Sequence, residues 1–288
     1  MDAVLASLQL FPATATGVLY ALRVHALRGT TRAVPAWRQG CFYGGLVFIV
    51  ATLTALGRLS DQLFAAHMAE HLLMADVGTL ALVLGVTGPL LAPVLRVRAI
   101  DRLRVIAHPA VAFPLWAIDL YLWHAPALQE AAVRHSGIHA LQHLSFIFFG
   151  ANMWMALLGP LPKPAWFGNL ARLVYVVAVR FTGAVLGNVF VFGGHPFYDV
   201  YAAGERAHGI SAAGDQNAAG AIMMIEGSLL TIALLAWLFA RTAREGEERQ
   251  ALLDLARDRG VDLSEARAAR AVAAGRGAEL RRRIESAG

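Results

Sequence analysis

The amino-acid sequence predicts an all-α fold, a polytopic membrane helix bundle of about seven transmembrane helices. The first observation is composition: 57% of the 288 residues are hydrophobic and 16% are charged, whereas a soluble domain usually carries about 25% charged residues. The second is that the apolar residues fall in runs of roughly 20, the length that a helix needs to cross a bilayer. The third is an alternation of basic and neutral loops. Together these favour one membrane bundle over one or two soluble domains.

The apolar runs define the helices of this bundle. The predicted spans, in order, are Val4–Val24, Cys41–Leu59, His67–Leu95, Val105–His124, Ile138–Gly159, Leu173–Phe192 and Ala218–Ala240. The first lacks the basic segment and cleavage site of a signal peptide, so we expect it to be retained. The third is long enough to tilt, or to break near Gly85, Gly88 and Pro89. The fourth contains Pro109 and Pro114, which should kink its first turns.

The basic residues predict the orientation of the bundle. The first and third loops carry four arginines each, and the fifth loop and the C-terminal tail are also basic. The second, fourth and sixth loops carry one arginine each. Because basic loops stay in the cytoplasm, we expect the N-terminus outside and the C-terminus inside. The net charge of +5 is explained in this way, and nucleic-acid binding is not expected.

The composition changes after the seventh span, to arginine, glutamate and alanine with scattered leucine. We therefore divide the chain into a transmembrane bundle, residues 1–240, and a charged cytoplasmic helical tail, residues 241–288. The tail should contain one or two helices, broken near Gly260 and Gly275–Gly277. It could lie on the membrane surface, dock on a partner, or be a solvated and partly disordered extension.

Five of the ten histidines are predicted to fall at helix ends on one face of the membrane, the non-cytoplasmic face. His67 and His71 open the third span, His124 closes the fourth, and His139 and His143 open the fifth. Residues four apart lie on one helix face, about 6 Å apart along the axis. Each pair can therefore present two imidazoles to a single ion.

Asp215 begins the seventh span on the same face and completes a candidate metal-binding set. Its members are His67, His71, His124, His139, His143 and Asp215. Neutral imidazole suits zinc, copper and iron, and the thioethers of Met74 and Met223 would add a preference for Cu(I). A lone histidine at a helix end is usually interfacial, and one such pair often arises by chance. Two pairs and a fifth histidine together favour a metal or haem site. The single cysteine, Cys41, falls at the opposite membrane face.

Charged residues inside the predicted spans form a second notable group. Asp76, Arg180 and Glu226 fall near the middle of the bilayer, where charges are costly and usually functional. Arg180 and Glu226 lie at similar depth on consecutive spans, so we expect them to pair. Glu70 and Asp119 lie close to the histidines in sequence, and either could orient a ligand imidazole as a hydrogen-bond acceptor.

Several segments resemble one family, the CtaG-type cytochrome c oxidase assembly factors, which are multi-span bacterial membrane proteins. The segments are HMAEHLLM, LYLWHAPAL, HALQHLSF with a following MW, FYDVY and DQNAAGAIMM. They occur in order from the third span to the seventh, with Met224 standing where the family usually has tryptophan. The resemblance implies location in the bacterial inner (plasma) membrane and cytochrome c oxidase subunits as partners. It also implies delivery of copper to the oxidase, and it points to the same six candidate ligands.

Three functions remain open from the sequence. The first is a non-enzymatic assembly factor that handles copper. The second is an intramembrane zinc hydrolase, in which Asp215, Glu70 or Asp119 would act as the base. The third is an electron carrier with haem held by axial histidines. Five histidines at one end of the bundle favour a small ion over haem, but the residue types do not choose between copper and zinc.

Overall fold

The structure is a computed structural model that describes residues 2–97 and 103–287. All regular secondary structure within those two ranges is helical, as predicted. The α-helices are α1 (Asp2–Leu27), α2 (Ala36–Ser60), α3 (Phe64–Leu72), α4 (Thr79–Gly85), α5 (Gly88–Leu91), α6 (Pro109–Trp123), α7 (Pro126–Arg134), α8 (Ser136–Leu158), α9 (Asn169–Phe192), α10 (Ala202–His208), α11 (Ala212–Asp258), α12 (Glu265–Ala273) and α13 (Gly277–Ala287). Short 3₁₀ segments cover Val94–Arg96, Leu103–Ala107 and Asp199–Tyr201.

Five helical segments among the described residues are long and apolar enough to cross a membrane. They are Ala36–Ser60, Phe64–Gly85, Ser136–Leu158, Asn169–Phe192 and Ala212–Asp258. The two other predicted spans are also helical: α1 covers the first, and α6 covers the fourth with 15 residues. At 1.5 Å per residue, α6 alone is shorter than a hydrocarbon core of about 30 Å. The membrane bundle is thus supported, while seven crossings and their orientation stay predictions.

The expected irregularities of the third and fourth spans have distinct outcomes. The third breaks as predicted, because α4 ends at Gly85 and α5 begins at Gly88. In the fourth, Pro109 is the first residue of α6 rather than an interior kink. Proline suits this position because the first helical N–H has no partner within the helix. Pro114 lies inside α6.

The third span contains a π-helical segment, Leu73–Gly78, between α3 and α4. It packs closely against its neighbours through small residues. A side chain at Gly45 of α2 would place its Cβ 2.9 Å from the Gly78 carbonyl oxygen, and one at Gly150 of α8 would clash with the backbone of Ala75. Small residues allow helices in membranes to approach at this distance. The third span is therefore held tightly between α2 and α8.

The charged residues predicted for the middle of the bilayer form one ion-paired group. Arg180 of α9 binds both carboxylate oxygens of Asp76, at 2.6 and 3.2 Å, and lies 3.8 Å from Glu226 of α11. The guanidinium also lies 5.3 Å from the centre of the Trp154 ring, whose Nε1 donates to the Asp76 carbonyl at 3.0 Å. The predicted pairing of Arg180 with Glu226 is confirmed, and Asp76 is the nearer partner.

The described chain forms two compact units that divide within α11, one ending at Leu229 and one beginning at Leu230. In the second unit, α12 and α13 pack on the C-terminal part of α11. The apolar core of this unit consists of Leu252, Ala256, Val272, Leu280 and Ile284. The helices break at Gly260 and Gly275, near the predicted positions, where φ is +64° and +68°. Glycine adopts this left-handed conformation without the steric penalty of other residues.

Candidate metal centre

Four imidazoles from two helices meet at one end of the bundle. α3 contributes His67 and His71, whose ring centres are 4.2 Å apart, and α8 contributes His139 and His143, also 4.2 Å apart. Across the two helices, the rings of His67 and His139 stack at 5.0 Å. The rings of His71 and His143 lie edge to face at 5.3 Å. We refer to these residues as the four-histidine group, and their convergence follows from the four-residue spacing on each helix.

The side chains of this group form two overlapping sets of potential ligands. One ligand atom from each of His67, His71 and His139 lies within 4.8 Å of the others. The same is true of Glu70, His139 and His143. Metal–nitrogen bonds of about 2.0–2.1 Å hold the ligand atoms of one ion within about 4.2 Å of one another. Small side-chain shifts would therefore complete a coordination shell, and His139 belongs to both sets.

The group is buried, and most of its polar atoms have no hydrogen-bond partner. His67 and Glu70 are 0% and 1% exposed. Within the described ranges, eight buried side-chain atoms here lack a partner: His67 Nε2, both ring nitrogens of His71 and of His143, His139 Nε2 and both carboxylate oxygens of Glu70. An unpartnered buried polar atom costs about 1–3 kcal/mol, and native proteins leave few of them. A bound cation would take one nitrogen from each imidazole, because the other nitrogen of a neutral ring carries a proton, and the Glu70 carboxylate could complete its ligands.

Two neighbouring oxygen atoms orient the imidazoles of His67 and His139. His67 Nδ1 lies 3.2 Å from the Ser60 carbonyl oxygen. A proton on Nδ1 would be donated to this carbonyl, leaving the lone pair of Nε2 for a metal. His139 Nδ1 lies 3.7 Å from Asp61 Oδ1. Partial burial raises the pKa of the Asp61 carboxyl, and the charge of Glu70 raises it further while His143 opposes this.

The two acidic residues expected to orient ligands have different environments. Glu70 Oε2 lies 3.6 Å from His143 Nε2, so Glu70 can support an imidazole or bind the ion itself. Asp119 Oδ1 instead accepts a hydrogen bond from Trp123 Nε1 at 3.1 Å. The structure thus places Glu70 in the group and Asp119 against an indole on its own helix.

The structure does not bring His124 into the four-histidine group. His124 follows the last residue of α6, and its Nδ1 lies 2.7 Å from the Leu120 carbonyl oxygen. Its Nε2 lies 3.2 Å from Met68 Sδ. Phe146 lies near both sites, with its ring 4.7 Å from that of His71 and 6.1 Å from that of His124. His124 and His71 nevertheless line the same cavity.

Asp215 is close to the site but is occupied by the backbone of α3. Its Oδ2 accepts from the Phe64 N–H at 2.6 Å and its Oδ1 from the Ala65 N–H at 3.0 Å. The first amides of a helix need such acceptors, and α3 has no capping side chain of its own. Asp215 therefore caps α3 from α11 and fixes the start of the helix that carries His67.

A buried network that the sequence reasoning missed lies beside the group. Gln142 Nε2 donates to Gln129 Oε1 at 3.0 Å, and Gln129 Nε2 donates to the Tyr201 hydroxyl at 2.9 Å. Burial raises the pKa of Tyr201, whose ring lies 6.1 Å from that of His67. Met68, 1% exposed, was missed as well. One sequence feature could have indicated the network: the amide side chain of Gln142 stands between the two histidines of HALQH.

The fold and the site together define a class of protein: a helical membrane protein with a group of buried imidazoles at its helix ends. The chain belongs to the cytochrome c oxidase caa3 assembly factor family (Caa3_CtaG), whose family model matches residues 18–245. The resemblance inferred from the motifs is thus confirmed, and the match also includes α2 and part of α1. No curated protein and no solved structure matched the chain.

Proposed function

We propose that this protein binds copper at the four-histidine group and delivers it to cytochrome c oxidase during assembly. Membership of the assembly factor family supports the assembly role. The single observation that carries the proposed metal binding is the convergence of four imidazoles and one carboxylate. Eight of their buried nitrogen and oxygen atoms have no hydrogen-bond partner among the described residues. Imidazole nitrogens suit copper and zinc, and a haem–copper oxidase as recipient favours copper.

The overlap of the two ligand sets suggests how the ion is released. An ion bound by His67, His71 and His139 could exchange its ligands one at a time for Glu70 and His143. His139 belongs to both sets, so the ion would stay coordinated throughout. Such ligand exchange would carry copper across the group toward a partner subunit without releasing it to water. In this proposal the protein is a carrier and not an enzyme.

The proposed direction of delivery follows the predicted topology. The four-histidine group lies where α3 and α8 begin, which the alternation of basic loops assigns to the non-cytoplasmic face. Copper would therefore be acquired and passed on at that face of the bacterial inner membrane. The recipient would be an oxidase subunit in the same bilayer.

Glu70 supports a second candidate function, an intramembrane zinc hydrolase. Two histidines and a glutamate are a ligand set of catalytic zinc, and neither Glu70 oxygen has a hydrogen-bond partner among the described residues although the carboxylate lies beside His139 and His143. Asp119 and Asp215, the other expected bases, are engaged with Trp123 and with backbone amides. One equivalent of zinc in place of copper would favour this candidate.

The packing of the rings supports a small ion over haem. Neighbouring imidazoles of the four-histidine group lie 4.2–5.3 Å apart between centres, in direct contact with one another. Axial histidines of a haem must face each other across the porphyrin plane. The adjacent rings of this group instead pack directly against one another, which leaves no gap for a porphyrin plane between them.

Metal content of the purified full-length protein in detergent tests the proposal. We expect the wild-type protein to bind copper, and His71→Ala and His143→Ala to lose about one equivalent relative to it. His208→Ala is the matched control, because His208 is exposed and its Nδ1 contacts only the Gly204 carbonyl of its own helix. Retention of the full copper content by both cluster variants would overturn the proposed site.

A further inference from the structure

A small cavity of about 50 Å³ lies beside the four-histidine group. Its walls are largely apolar, but they include two methionines, Met68 and Met223, and two histidines, His71 and His124. His71 is therefore shared between the cavity and the four-histidine group. Asp76 also borders the cavity, so the space extends from the helix ends toward the ion-paired group.

The hydrogen bonding of His124 determines which of its nitrogens carries the proton. Nδ1 lies 2.7 Å from the Leu120 carbonyl oxygen, which can only accept, so the proton is on Nδ1. The side chain is buried, and a second proton would place an uncompensated charge in an apolar environment. Nε2 therefore presents a lone pair to the cavity.

That lone pair faces another electron-pair donor. His124 Nε2 lies 3.2 Å from Met68 Sδ, and a thioether has no proton to donate. Two acceptors thus meet in a buried site with no hydrogen between them. A cation that both atoms coordinate explains this contact. A thioether favours a soft ion, and imidazole also binds copper, so Cu(I) is the ion that this pair of ligands suits best.

Met223 is placed to supply a third ligand. It is buried and packs in the same apolar cluster as Met68, and both line the cavity with His124. We propose that Met68, His124 and Met223 form a second metal site, selective for Cu(I) and separate from the four-histidine group. His71 connects the two sites, so that the ion can move from imidazole ligands to sulfur ligands by exchange without a change of oxidation state.

This inference rests on the proposed function in taking copper as the cargo, but binding at the two sites can be measured separately. The full-length protein in detergent is titrated with Cu(I) without oxygen, against a coloured Cu(I) chelator. Copper X-ray absorption then reports whether sulfur is a ligand. Met68→Leu removes the sulfur while keeping an apolar side chain of similar volume. Met153→Leu is the matched control, because Met153 is equally buried and does not line the cavity.

We expect two equivalents of Cu(I) in the wild type and in Met153→Leu, with sulfur in the copper shell. Met68→Leu should lose one equivalent and the sulfur signal, while a His67→Ala/His139→Ala double variant should lose the other equivalent and keep the sulfur. Full Cu(I) binding by Met68→Leu, or a wild-type shell with nitrogen alone, would overturn this inference and leave the four-histidine site standing. Full binding by the double variant would overturn the four-histidine site instead.

Discussion

Two groups of polar side chains are buried in the bundle, and they differ in how their atoms are partnered. Around Arg180, the guanidinium contacts the carboxylates of Asp76 and Glu226 and the face of Trp154. In the four-histidine group, by contrast, the imidazoles contact one another, and most of their nitrogens have no hydrogen-bond partner within the part of the chain that the structure describes. In the first group opposite charges compensate one another, although Arg180 Nε and Glu226 Oε1 have no hydrogen-bond partner among the described residues. In the second group no cation within the described ranges faces the imidazoles and the Glu70 carboxylate. This difference separates a structural cluster from a candidate binding site.

The largest effect on stability is expected from breaking the ion pairs around Arg180. Arg180→Ala leaves the Asp76 and Glu226 carboxylates buried without their cation, and removal of one partner of a buried ion pair costs about 3–5 kcal/mol. Thermal unfolding in detergent should show a large loss of stability. Arg134→Ala is the control, because Arg134 is exposed and its ion pair is with Glu130 four residues earlier on the same helix, a kind of pair that should be worth less than about 1 kcal/mol. Equal stability of the two variants would contradict the structural role.

An intermediate effect is expected from adding metal to the four-histidine group. A ligand that binds only the folded state stabilises it by about 2.7 kcal/mol at a free concentration of 100 times Kd. Copper should therefore raise the unfolding temperature of the wild type and of His208→Ala. His71→Ala should respond much less. A copper response of His71→Ala as large as that of the wild type would remove the distinction between the two polar groups.

The smallest effect on stability is expected at Asp215. A helix-capping role and a metal-ligand role predict different responses to its substitution by alanine and by asparagine. Loss of a helix cap costs about 0.5–2 kcal/mol. Asp215→Ala should therefore lower stability modestly and weaken copper binding through displacement of α3. Asp215→Asn keeps an oxygen that can accept from the Phe64 amide and should retain most of both properties. If Asp215→Asn lost copper as fully as Asp215→Ala, a direct ligand role would replace the cap.

Helix periodicity made part of this site predictable. The HxxxH spacing at the starts of two apolar runs was enough to place His67, His71, His139 and His143 at one end of the bundle. Sequence order gives depth along each helix but not lateral position around the bundle. His124 and Asp215 lie at the same end of the bundle as the four histidines, yet they contact Met68 and the amides of α3 instead of the four rings.

Contacts between distant parts of the chain account for the other differences between the predicted and the observed structure. Arg180 was expected to pair with Glu226, whereas its closest partner is Asp76, 104 residues away in sequence. Asp76 lies in the π-helical segment Leu73–Gly78, which changes the direction of the side chains that follow on the third span. No periodicity argument anticipates that change, because such arguments assume a regular α-helix.

If the imidazoles of the four-histidine group hold copper, substitution of His139 should disturb the bound ion most directly, because His139 belongs to both ligand sets. The measurement is the electron paramagnetic resonance spectrum of the full-length protein loaded with one equivalent of Cu(II). The predicted result is coupling to several imidazole nitrogens in the wild type and in His208→Ala, with loss of that spectrum in His139→Ala. An unchanged spectrum in His139→Ala would contradict the claim.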